Sequence, residues 1–320
     1  MPLFSVVIPT HNRAALLGRA IQSVQAQTCS DYELVVVDDG SSNATAELLR
    51  SLKGPRTTFL RHEVARGASA ARNAGVLAAT GEMITFLDDD DELRPNALQC
   101  LRDMRVACPQ LDFLWGGRLI HEEDRDGETI DTREDDWHAV PCPISGSDFL
   151  PYVLQIATSA AFTIKRSLYQ QLGGLDTSFK VSEDRDFFVT LAEGNFRGGA
   201  VDATIIDVHE ISSSLSRSTG MRTAPDSDLR VLDKHRDYLQ RPEHRQFEDG
   251  YLRAIFASFL QSGNRGAAMQ ILGTLRRRGA LNLGVLRKYV RHAPEFRALK
   301  SLIRYNRLRQ MTARMRHRAR

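Results

Sequence analysis

An apolar run that ends in four consecutive aspartates is the feature that most constrains the fold. Ile84–Leu87 is rich in β-forming residues, Asp88–Asp91 follow at once, and Pro95 stands where a helix would begin. This pattern predicts a buried strand whose carboxyl end delivers carboxylates into a crevice, which is where open α/β sheets bind their ligands.

The four aspartates repel one another, so an uncompensated cluster is costly. A hard divalent cation held by carboxylate oxygens, with the phosphates of a ligand completing its coordination, would compensate the charge. A solvated acidic turn, or a charge cluster at the N-terminus of the next helix, accounts for the stretch as well, because Asp91 and Glu92 suit the helix dipole. The stretch alone leaves both explanations open.

The residues before this stretch alternate between strand and helix patterns. Strands are predicted at Phe4–Pro9, Tyr32–Val37, Thr57–Arg61 and Glu82–Leu87. The first helix between them carries apolar residues at helical spacing, namely Leu17, Ala20, Ile21 and Val24. Such alternation predicts an α/β protein with a doubly wound, mainly parallel sheet and helices on both faces.

Beyond the acidic stretch the pattern is less regular. Strands are predicted at Phe113–Ile120, Phe162–Ile164 and Val201–Val208, and Ser182 is predicted to be the N-cap of a helix. Residues 121–145 are charged and poor in apolar residues, which predicts a surface excursion. From about Asp226 onwards the pattern is helical.

Two segments of opposite sign underlie the net charge of +3. Residues 251–320 contain 17 Lys and Arg and one acidic residue, Glu295, which gives a net charge of +16. The other 250 residues contain 26 basic and 39 acidic residues, a net charge of −13. The basic segment is expected to face an anionic partner or surface.

Length and composition narrow the class of protein. The chain has 320 residues, 42% of them hydrophobic, which is enough for about two domains. Its apolar runs are shorter than the ~18 to 20 residues that span a bilayer. The four cysteines show neither CxxC nor histidine-paired spacing, so zinc and disulfides are not indicated and a cytoplasmic location is expected.

Three further positions can carry chemistry, although each also has an ordinary structural explanation. Asp38-Asp39-Gly40 follows the second strand, where a carboxylate can accept from a base or a ribose, or can cap a turn. Arg72 lies in a helix of small residues, where it can face a phosphate or a base, or solvent. Asp184 opens a helix, where acids commonly complement the dipole. The chain lacks a GxGxxG after the first strand and a P-loop motif, so a dinucleotide cofactor is not indicated.

Six sequence blocks occur in order between about residues 3 and 215. They are Val7–Arg13 (VIPTHNR), Val35–Ser42 (VVVDDGSS), Gly67–Gly75 (GASAARNAG), Phe86–Pro95 (FLDDDDELRP), Gly173–Asp176 (GGLD) and Glu183-Asp184. In this combination the sequence resembles the family 2 glycosyltransferases, whose α/β fold is called GT-A. The resemblance implies a GT-A catalytic domain over residues 1–220, followed by a basic helical region over residues 221–320.

The resemblance also implies roles for single residues. The nucleotide-sugar site would comprise Pro9, Thr10, His11, Asp39, Arg72, Asp88, Asp89 and Asp90. Asp90 would bind Mn²⁺ or Mg²⁺ at the diphosphate, and Asp184 would be the general base. His209 stands where some relatives have a side chain that binds the metal or the diphosphate. An ordinary half-buried histidine at a strand end explains it equally well. The implied reaction moves a sugar from a nucleoside diphosphate sugar, with UDP-sugar favoured, to an acceptor hydroxyl with inversion.

The implied acceptor is a saccharide or a lipid-linked molecule, in the assembly of a cell-surface polysaccharide or glycolipid. Between Leu281 and Met315 basic residues alternate with apolar ones, which predicts amphipathic helices that bind an anionic membrane surface. The protein is therefore expected in the cytoplasm, peripheral on the inner face of the membrane. A solvated helical bundle, or packing on the acidic catalytic domain, is the alternative for this tail.

Two other classes of protein remain as alternatives. A sugar nucleotidyltransferase also needs a metal, but it would carry a Gly-rich basic loop that Thr10–Leu17 lacks. A non-enzymatic protein could bind anionic polymers through the Arg-rich tail. The tail lacks the interleaved aromatic residues of a stacking platform, so no specific nucleic acid is expected as a partner.

Overall fold

The computed structural model describes residues 1–42, 44–51, 54, 56–124, 128–135, 140–156, 160–211 and 215–281. The chain divides into two compact units, Met1–Ser218 and Thr219–Arg320.

Within the described residues, nine strands form one sheet. In chain order they are β1 (Phe4–Thr10), β2 (Tyr32–Asp39), β3 (Thr57–His62), β4 (Met83–Leu87), β5 (Glu92–Leu93), β6 (Phe113–Glu123), β7 (Thr129–Asp135), β8 (Ala160–Lys165) and β9 (Gly198–Ile211). The described helices are α1 (Ala14–Gln25), α2 (Thr45–Ser51), α3 (Ala68–Ala78), α4 (Ala97–Ala107), α5 (Gly146–Phe149), α6 (Arg166–Gln171), α7 (Glu183–Glu193), α8 (Leu215–Lys234), α9 (Arg236–Leu239), α10 (Arg245–Gln261) and α11 (Arg265–Arg277).

The sheet has a parallel half and a mixed half. Its strand order is β3-β2-β1-β4-β8-β6-β9-β5, with β7 beside β6. The first four strands are all parallel, as the alternating pattern predicts. Strand β8 is antiparallel to both β4 and β6, whereas β9 is parallel to β6. The α/β class is therefore confirmed, and the sheet extends beyond the parallel strands of the N-terminal half.

The parallel half is buried on both faces. All seven residues of β1 are buried, and α1 buries the four predicted apolar positions, Leu17, Ala20, Ile21 and Val24. Helix α3 lies so close to β1 that a Cβ on Gly75 would stand 2.4 Å from Cγ1 of Val7. The small residues of α3 thus bring its N-terminal turn close to the carboxyl ends of the strands.

An aromatic cluster fills the mixed half and supports α7. The rings of Phe113 and Phe162 lie 4.8 Å from those of Phe149 and Phe188 respectively, and Phe149 meets Phe188 edge-on at 6.4 Å. Such tilted and edge-on contacts are the favoured geometries for aromatic pairs. Because Phe188 belongs to α7, the cluster positions the first turn of that helix relative to β6 and β8.

A two-residue strand ends the sheet at its far edge. Strand β5 is antiparallel to β9, with Glu92 opposite Asp207. Nε and Nη2 of Arg94 donate to the two carboxylate oxygens of Asp207 at 3.0 and 3.1 Å. Only Asp88–Asp91 separate β4 from β5 along the chain, although three strands lie between them in the strand order. The sheet is therefore curled.

Two sequence-based expectations need correction. The pattern predicts a surface excursion over residues 121–145, but β6 continues to Glu123 and β7 pairs with it. The side chains of β7 are exposed from Thr129 to Glu134. Backbone hydrogen bonds to β6 hold this strand in the sheet, and its amino-acid composition does not reveal it. Ser182 is the N-cap residue of α7 as predicted, but its φ is +67° and its side chain makes no capping hydrogen bond.

The described part of the second unit is helical, as predicted from about Asp226 onwards. Helix α11 buries Ala268, Ile271, Leu272 and Leu275. Arg278 follows that helix and donates to Glu248 and, at 2.6 Å, to Asp249 of α10. The predicted amphipathic helices between Leu281 and Met315 lie outside the described residues. Among the helices that the structure does describe, each lacks the combination of length and hydropathy required to cross a bilayer.

Candidate functional site

A cavity of about 350 Å³ lies at the carboxyl ends of β1, β2 and β4. Its lining includes seven of the residues that the sequence assigns to a nucleotide-sugar site: Pro9, Thr10, His11, Asp39, Arg72, Asp88 and Asp89. Arg13, Ala68 and Ala71 complete the lining. The structure thus brings together residues that are up to 80 positions apart, where ligands bind in open α/β sheets.

The acidic loop, Asp88–Asp91, forms one side of this region. Carboxylate oxygens of Asp88, Asp90 and Asp91 all lie within 4.8 Å of one another. The loop is held in a turn by a hydrogen bond of 3.3 Å from the backbone N–H of Asp91 to the carbonyl of Asp88. Three converging carboxylates supply the hard oxygen ligands that Mn²⁺ and Mg²⁺ prefer, so the residues present fit a divalent cation.

Burial and the repulsion of neighbouring carboxylates disfavour the ionised forms of Asp89, Asp90 and Asp91. Burial raises the pKa of Asp89 to about 6, and the neighbouring carboxylates add to the rise. Burial likewise raises the pKa of Asp90 and, well above its ordinary value, that of Asp91, with Asp88 as the next contributor. The loop therefore carries more negative charge than its protein surroundings compensate.

Two arginines approach the acidic loop from different elements. Nη1 of Arg13 lies 3.1 Å from Oδ1 of Asp89 and 2.7 Å from Oδ2 of Asp90. Nη2 of Arg72 donates to Oδ1 of Asp88 at 2.7 Å. The hydroxyl of Thr10 also donates to Oδ2 of Asp89 at 2.6 Å. The sequence motifs assign no role to Arg13, although its charge and its place three residues after β1 are the signal that could have revealed one.

Arg72 connects the acidic loop to the start of α7. It is 5% exposed, and its Nη1 lies 3.2 Å from Oε1 of Glu183. Its Nε has no hydrogen-bond partner among the described residues. Arg72 lines the cavity together with Asp39, and its guanidinium stands between Asp88 and the helix that carries Asp184.

The first turn of α7 holds an acidic pair. Asp184 is half-buried, and its Oδ1 accepts from the backbone N–H of Arg185 at 2.7 Å. Burial, together with a smaller effect of the adjacent Asp184, raises the pKa of Glu183 to about 7 against the opposing effect of Arg72. The sequence motifs point to Asp184 as the general base and assign no separate function to Glu183.

Asp39 lines the cavity, but its carboxylate is already engaged. Its oxygens accept from Nδ1 of His62 at 2.6 Å and from the backbone N–H groups of Arg66 and Gly67 at 2.7 to 3.0 Å. Burial alone would raise the pKa of Asp39, but these hydrogen bonds bring it below its ordinary value. The side chain therefore anchors the segment that leads into α3.

Backbone geometry explains the residues around Asp39. Gly40 has φ of +74°, and a Cβ there would lie 2.6 Å from the backbone nitrogen of Ala65. Asn12, with φ of +58°, donates its backbone N–H to Oγ of Ser41 at 2.9 Å and accepts from the backbone N–H of Ser42 at 2.9 Å. Nδ1 of His11 donates to the carbonyl of Asp39 at 2.7 Å. The loops after β1 and β2 are thereby joined.

The Gly173–Asp176 block is joined to α3 by one asparagine. Nδ2 of Asn73 donates to the carbonyl of Leu175 at 2.8 Å, and its Oδ1 accepts from the backbone N–H of Leu175 at 3.0 Å. Gly174 has φ of +75°, and a Cβ there would lie 2.6 Å from that same Oδ1. The Gly67–Gly75 block, which contains Asn73, and the Gly173–Asp176 block are thus joined, and both help to arrange the elements around the cavity.

His209 reaches the acidic loop through its backbone. Its N–H donates to Oδ1 of Asp91 at 3.1 Å. Its ring Nδ1 lies 2.6 Å from Oε1 of Glu123, its Nε2 lies 3.3 Å from Oε1 of Glu92, and the ring stacks on His121 at 5.1 Å. The imidazole is not part of the carboxylate group formed by Asp88, Asp90 and Asp91. Its role as a metal ligand stays a prediction.

Comparison with known proteins identifies the family. The sequence profile of "Glycosyl transferase family 2" matches residues 5–173. The chain is 40% identical over 126 residues to the GalNAc(5)-diNAcBac-PP-undecaprenol beta-1,3-glucosyltransferase of Campylobacter jejuni, covering 38% of this chain and 40% of that protein. It is 40% identical over 99 residues to the succinoglycan biosynthesis protein ExoO of Rhizobium meliloti, covering 31% and 28%. These matches thus cover well under two thirds of each relative.

Solved structures agree with the fold. Residues 1–349 of S. aureus TarS superpose with a TM-score of 0.55 at 17% identity, covering 81% of each chain. The same protein in complex with UDP-GlcNAc gives a TM-score of 0.54. This likeness confirms the predicted GT-A fold with helices on both sides of the sheet. The profile covers more than half of the chain, and the protein therefore belongs to glycosyl transferase family 2.

Proposed function

We propose that this protein transfers a sugar from a nucleoside diphosphate sugar, with UDP-sugar favoured, to an acceptor hydroxyl with inversion. The observation that carries the proposal is the cavity at the carboxyl ends of β1, β2 and β4. Asp88 and Asp89 of the acidic loop line it, together with Arg72, which pairs with Asp88. The complexes of S. aureus TarS with UDP and UDP-GlcNAc support a nucleotide-sugar donor. The family assignment gives no support to a sugar nucleotidyltransferase or to a non-enzymatic polymer-binding protein.

Residues of this chain divide the work between binding and proton transfer. Pro9, Thr10 and His11 line the nucleoside pocket, while Asp88, Asp90 and Asp91 hold a divalent cation. When bound, that cation supplies Lewis-acid compensation for charge on the departing diphosphate. Arg72 fixes Asp88 and, through Glu183, the first turn of α7.

The proposed chemistry is a direct displacement. The acceptor oxygen bonds to the anomeric carbon as the bond from that carbon to the phosphate oxygen breaks, and Asp184 takes the acceptor's hydroxyl proton. Since a general base acts only within hydrogen-bond reach of that proton, its placement by α7 matters as much as its pKa. Asp184→Asn is expected to abolish transfer and to leave donor binding unchanged, measured by turnover and by calorimetry on the same sample. Near wild-type turnover would overturn the assignment of the base.

A thermal-shift panel tests the donor site. UDP, GDP, dTDP and CMP, each with and without Mn²⁺, are added to the wild type, Asp90→Ala and Asp103→Ala. A ligand that binds the native state raises the melting temperature by mass action. One nucleotide should give a Mn²⁺-dependent shift that Asp90→Ala loses. Asp103 is exposed on α4 and, among the described residues, accepts a hydrogen bond from Gln99 of the same helix, so Asp103→Ala should keep the shift. No shift with any nucleotide would contradict the proposal.

The proposed acceptor is a saccharide or lipid-linked molecule in the assembly of a cell-surface polysaccharide or glycolipid. Support comes from the C. jejuni relative, which is named for an undecaprenol-linked substrate, and from the R. meliloti relative, which is named for succinoglycan biosynthesis. A peripheral position on the inner face of an anionic membrane is proposed for the same reason, with the net charge of +16 over residues 251–320 as the attracting feature.

Co-sedimentation with anionic liposomes tests the membrane proposal. A truncation at residue 250, where the basic segment begins, would cut through α10. The truncated chain therefore ends after Leu281, which leaves the described helices intact. Residues 282–320 carry 12 of the 17 basic residues of the tail, and their removal should release the protein from the liposomes. Binding of the full chain should also fall steeply with added salt. Equal binding of the full chain and the truncated chain would contradict the proposal.

A further inference from the structure

Arg13 is the arginine of the cavity lining to which the proposed function gives no task. It precedes α1, and its guanidinium contacts Asp89 at 3.1 Å and Asp90 at 2.7 Å. Among the described residues these two carboxylates are its ion-pair partners. The side chain is 40% exposed and lines the cavity, so it can leave these partners without entering an apolar environment.

The second arginine of the site differs in this respect. Arg72 has a side-chain exposure of 6% and is shared between Asp88 and Glu183 on separate elements. Moving it would leave two carboxylates, one of them largely buried, without a partner. Arg72 is therefore fixed, whereas Arg13 is the guanidinium of the site that can change partners.

The contact of Arg13 conflicts with a cation at the acidic loop. Arg13 approaches Oδ2 of Asp90 most closely, and the carboxylate of Asp90 is one of the three that fit a divalent cation. A guanidinium and a divalent cation on the same carboxylate repel each other at short range. A diphosphate that arrives with the cation removes this conflict, because two of its oxygens can accept together from the planar guanidinium.

We propose that Arg13 is a donor-binding residue that neutralises Asp90 in the empty site and transfers to the diphosphate of the donor when the site is filled. The inference rests on the proposed function and adds an order of events to it. Cation alone must displace Arg13 without compensation, so it binds weakly. Cation and nucleoside diphosphate together give Arg13 a new partner, so each strengthens the binding of the other.

Calorimetry with single substitutions tests this inference through binding alone. MnCl₂ is titrated first without nucleotide, and the diphosphate selected by the thermal-shift panel is then titrated at saturating Mn²⁺. For Arg13→Ala, Mn²⁺ alone should bind about tenfold more tightly and the nucleotide about tenfold more weakly, within the usual range of coupling between sites. Opposite changes are the signature, because a merely structural role would weaken both.

Two further variants keep the result interpretable. Arg19→Ala is the matched control, because Arg19 lies on α1 at 3.7 Å from Glu92 with 41% of its side chain exposed, outside the cavity lining. It should leave both affinities unchanged. Arg13→Lys keeps the charge but loses the two-point geometry, so it should preserve the weak binding of Mn²⁺ alone and still weaken the nucleotide. It also serves if Arg13→Ala does not fold.

The outcomes separate the two levels of the proposal. Wild-type protein that binds neither Mn²⁺ nor any diphosphate would overturn the proposed function and this inference together. Wild-type binding with unchanged affinities in Arg13→Ala and Arg13→Lys would overturn the inference alone. A loss of both affinities in the Arg13 variants would likewise overturn it, since Arg13 would then only maintain the shape of the site.

Discussion

The carboxyl ends of β2 and β4 carry the same residue type at the same edge of the sheet, yet their electrostatics are opposite. Asp39 receives hydrogen bonds from His62, Arg66 and Gly67, and its pKa lies below the ordinary value. Asp89, which follows β4, accepts hydrogen bonds from Thr10 and Arg13, but burial and its acidic neighbours raise its pKa to about 6.

The difference separates a carboxylate that backbone N–H groups compensate from one that lies among other acids. Asp39 is compensated by groups of its own chain, so its charge stabilises the fold. The acidic loop is only partly compensated by Arg13 and Arg72, and a bound cation would stabilise the remaining charge. Clusters of this kind, with strongly shifted pKa values in a cleft, are characteristic of functional sites.

Substitution of Asp90 should give the largest effect and should separate function from stability. Asp90→Asn would weaken the hold on the cation that compensates charge on the departing diphosphate, and it is expected to lower kcat by a factor of about 10² to 10³, the usual cost of losing one such stabilising group. Its melting temperature without ligand should stay equal or rise, because one of several repelling charges is removed. Turnover assays and thermal melts on the same preparation check this. A large loss of stability would mean that Asp90 is structural, like Asp39.

Substitution of Asp39 should show the reverse. Asp39→Ala leaves the N–H groups of Arg66 and Gly67 without their acceptor, so the free energy of unfolding should fall by about 3 kcal/mol. Urea denaturation at pH 7 measures the change, with Asp90→Asn as the matched aspartate. If Asp39→Ala instead lowered nucleotide affinity and left stability unchanged, its expected contact with the base would be its main role.

A third acid, Glu183, extends the comparison through pH. Its folded pKa of about 7 lies above the ordinary value, so the folded protein takes up its proton before the unfolded chain does. The free energy of unfolding of the wild type should therefore rise by about 2 kcal/mol relative to Glu183→Gln as the pH falls from 8 to 5. Denaturant melts at several pH values measure the slope. Parallel pH profiles for the two proteins would contradict the raised pKa.

The smallest effect is expected for the exposed pair between Arg19 and Glu92. Both side chains are more than a third exposed and lie 3.7 Å apart. Arg19→Ala should change the free energy of unfolding by less than about 1 kcal/mol, because exposed ion pairs contribute little. The same urea melts measure it. A larger loss would mean that electrostatic compensation of the acidic region extends beyond Arg13 and Arg72.

Much of the fold follows from local sequence patterns. The four parallel strands and α1 are predictable because strands buried on both faces read as continuous apolar runs and the helix has a regular apolar face. Strands β5 and β7 are not, because β5 has two residues and β7 exposes nearly all its side chains. Their pairing depends on partners distant in the sequence.

The candidate site shows the same limit. Motifs point to the residues that line the cavity, including Thr10, Asp39 and Asp88. They do not reveal which partner each charged group selects. The engagement of Asp39 by backbone N–H groups, the bridge from Arg72 to Glu183 and the contact of Arg13 with Asp90 all depend on tertiary geometry.

The short link between β4 and β5 has a consequence for the length of the chain at this point. Four strand spacings of about 4.8 Å would separate β4 from β5 in a flat sheet, or about 19 Å. The five residue steps from Leu87 to Glu92 reach at most about 18 Å when fully extended, and the turn between Asp88 and Asp91 shortens that reach further. The acidic loop thus limits the distance between β4 and β5, and this limit sets the curvature of the sheet. The length of the loop is constrained by the architecture of the sheet as well as by ligand chemistry. One inserted residue would reduce the curvature of the sheet and at the same time displace the carboxylates.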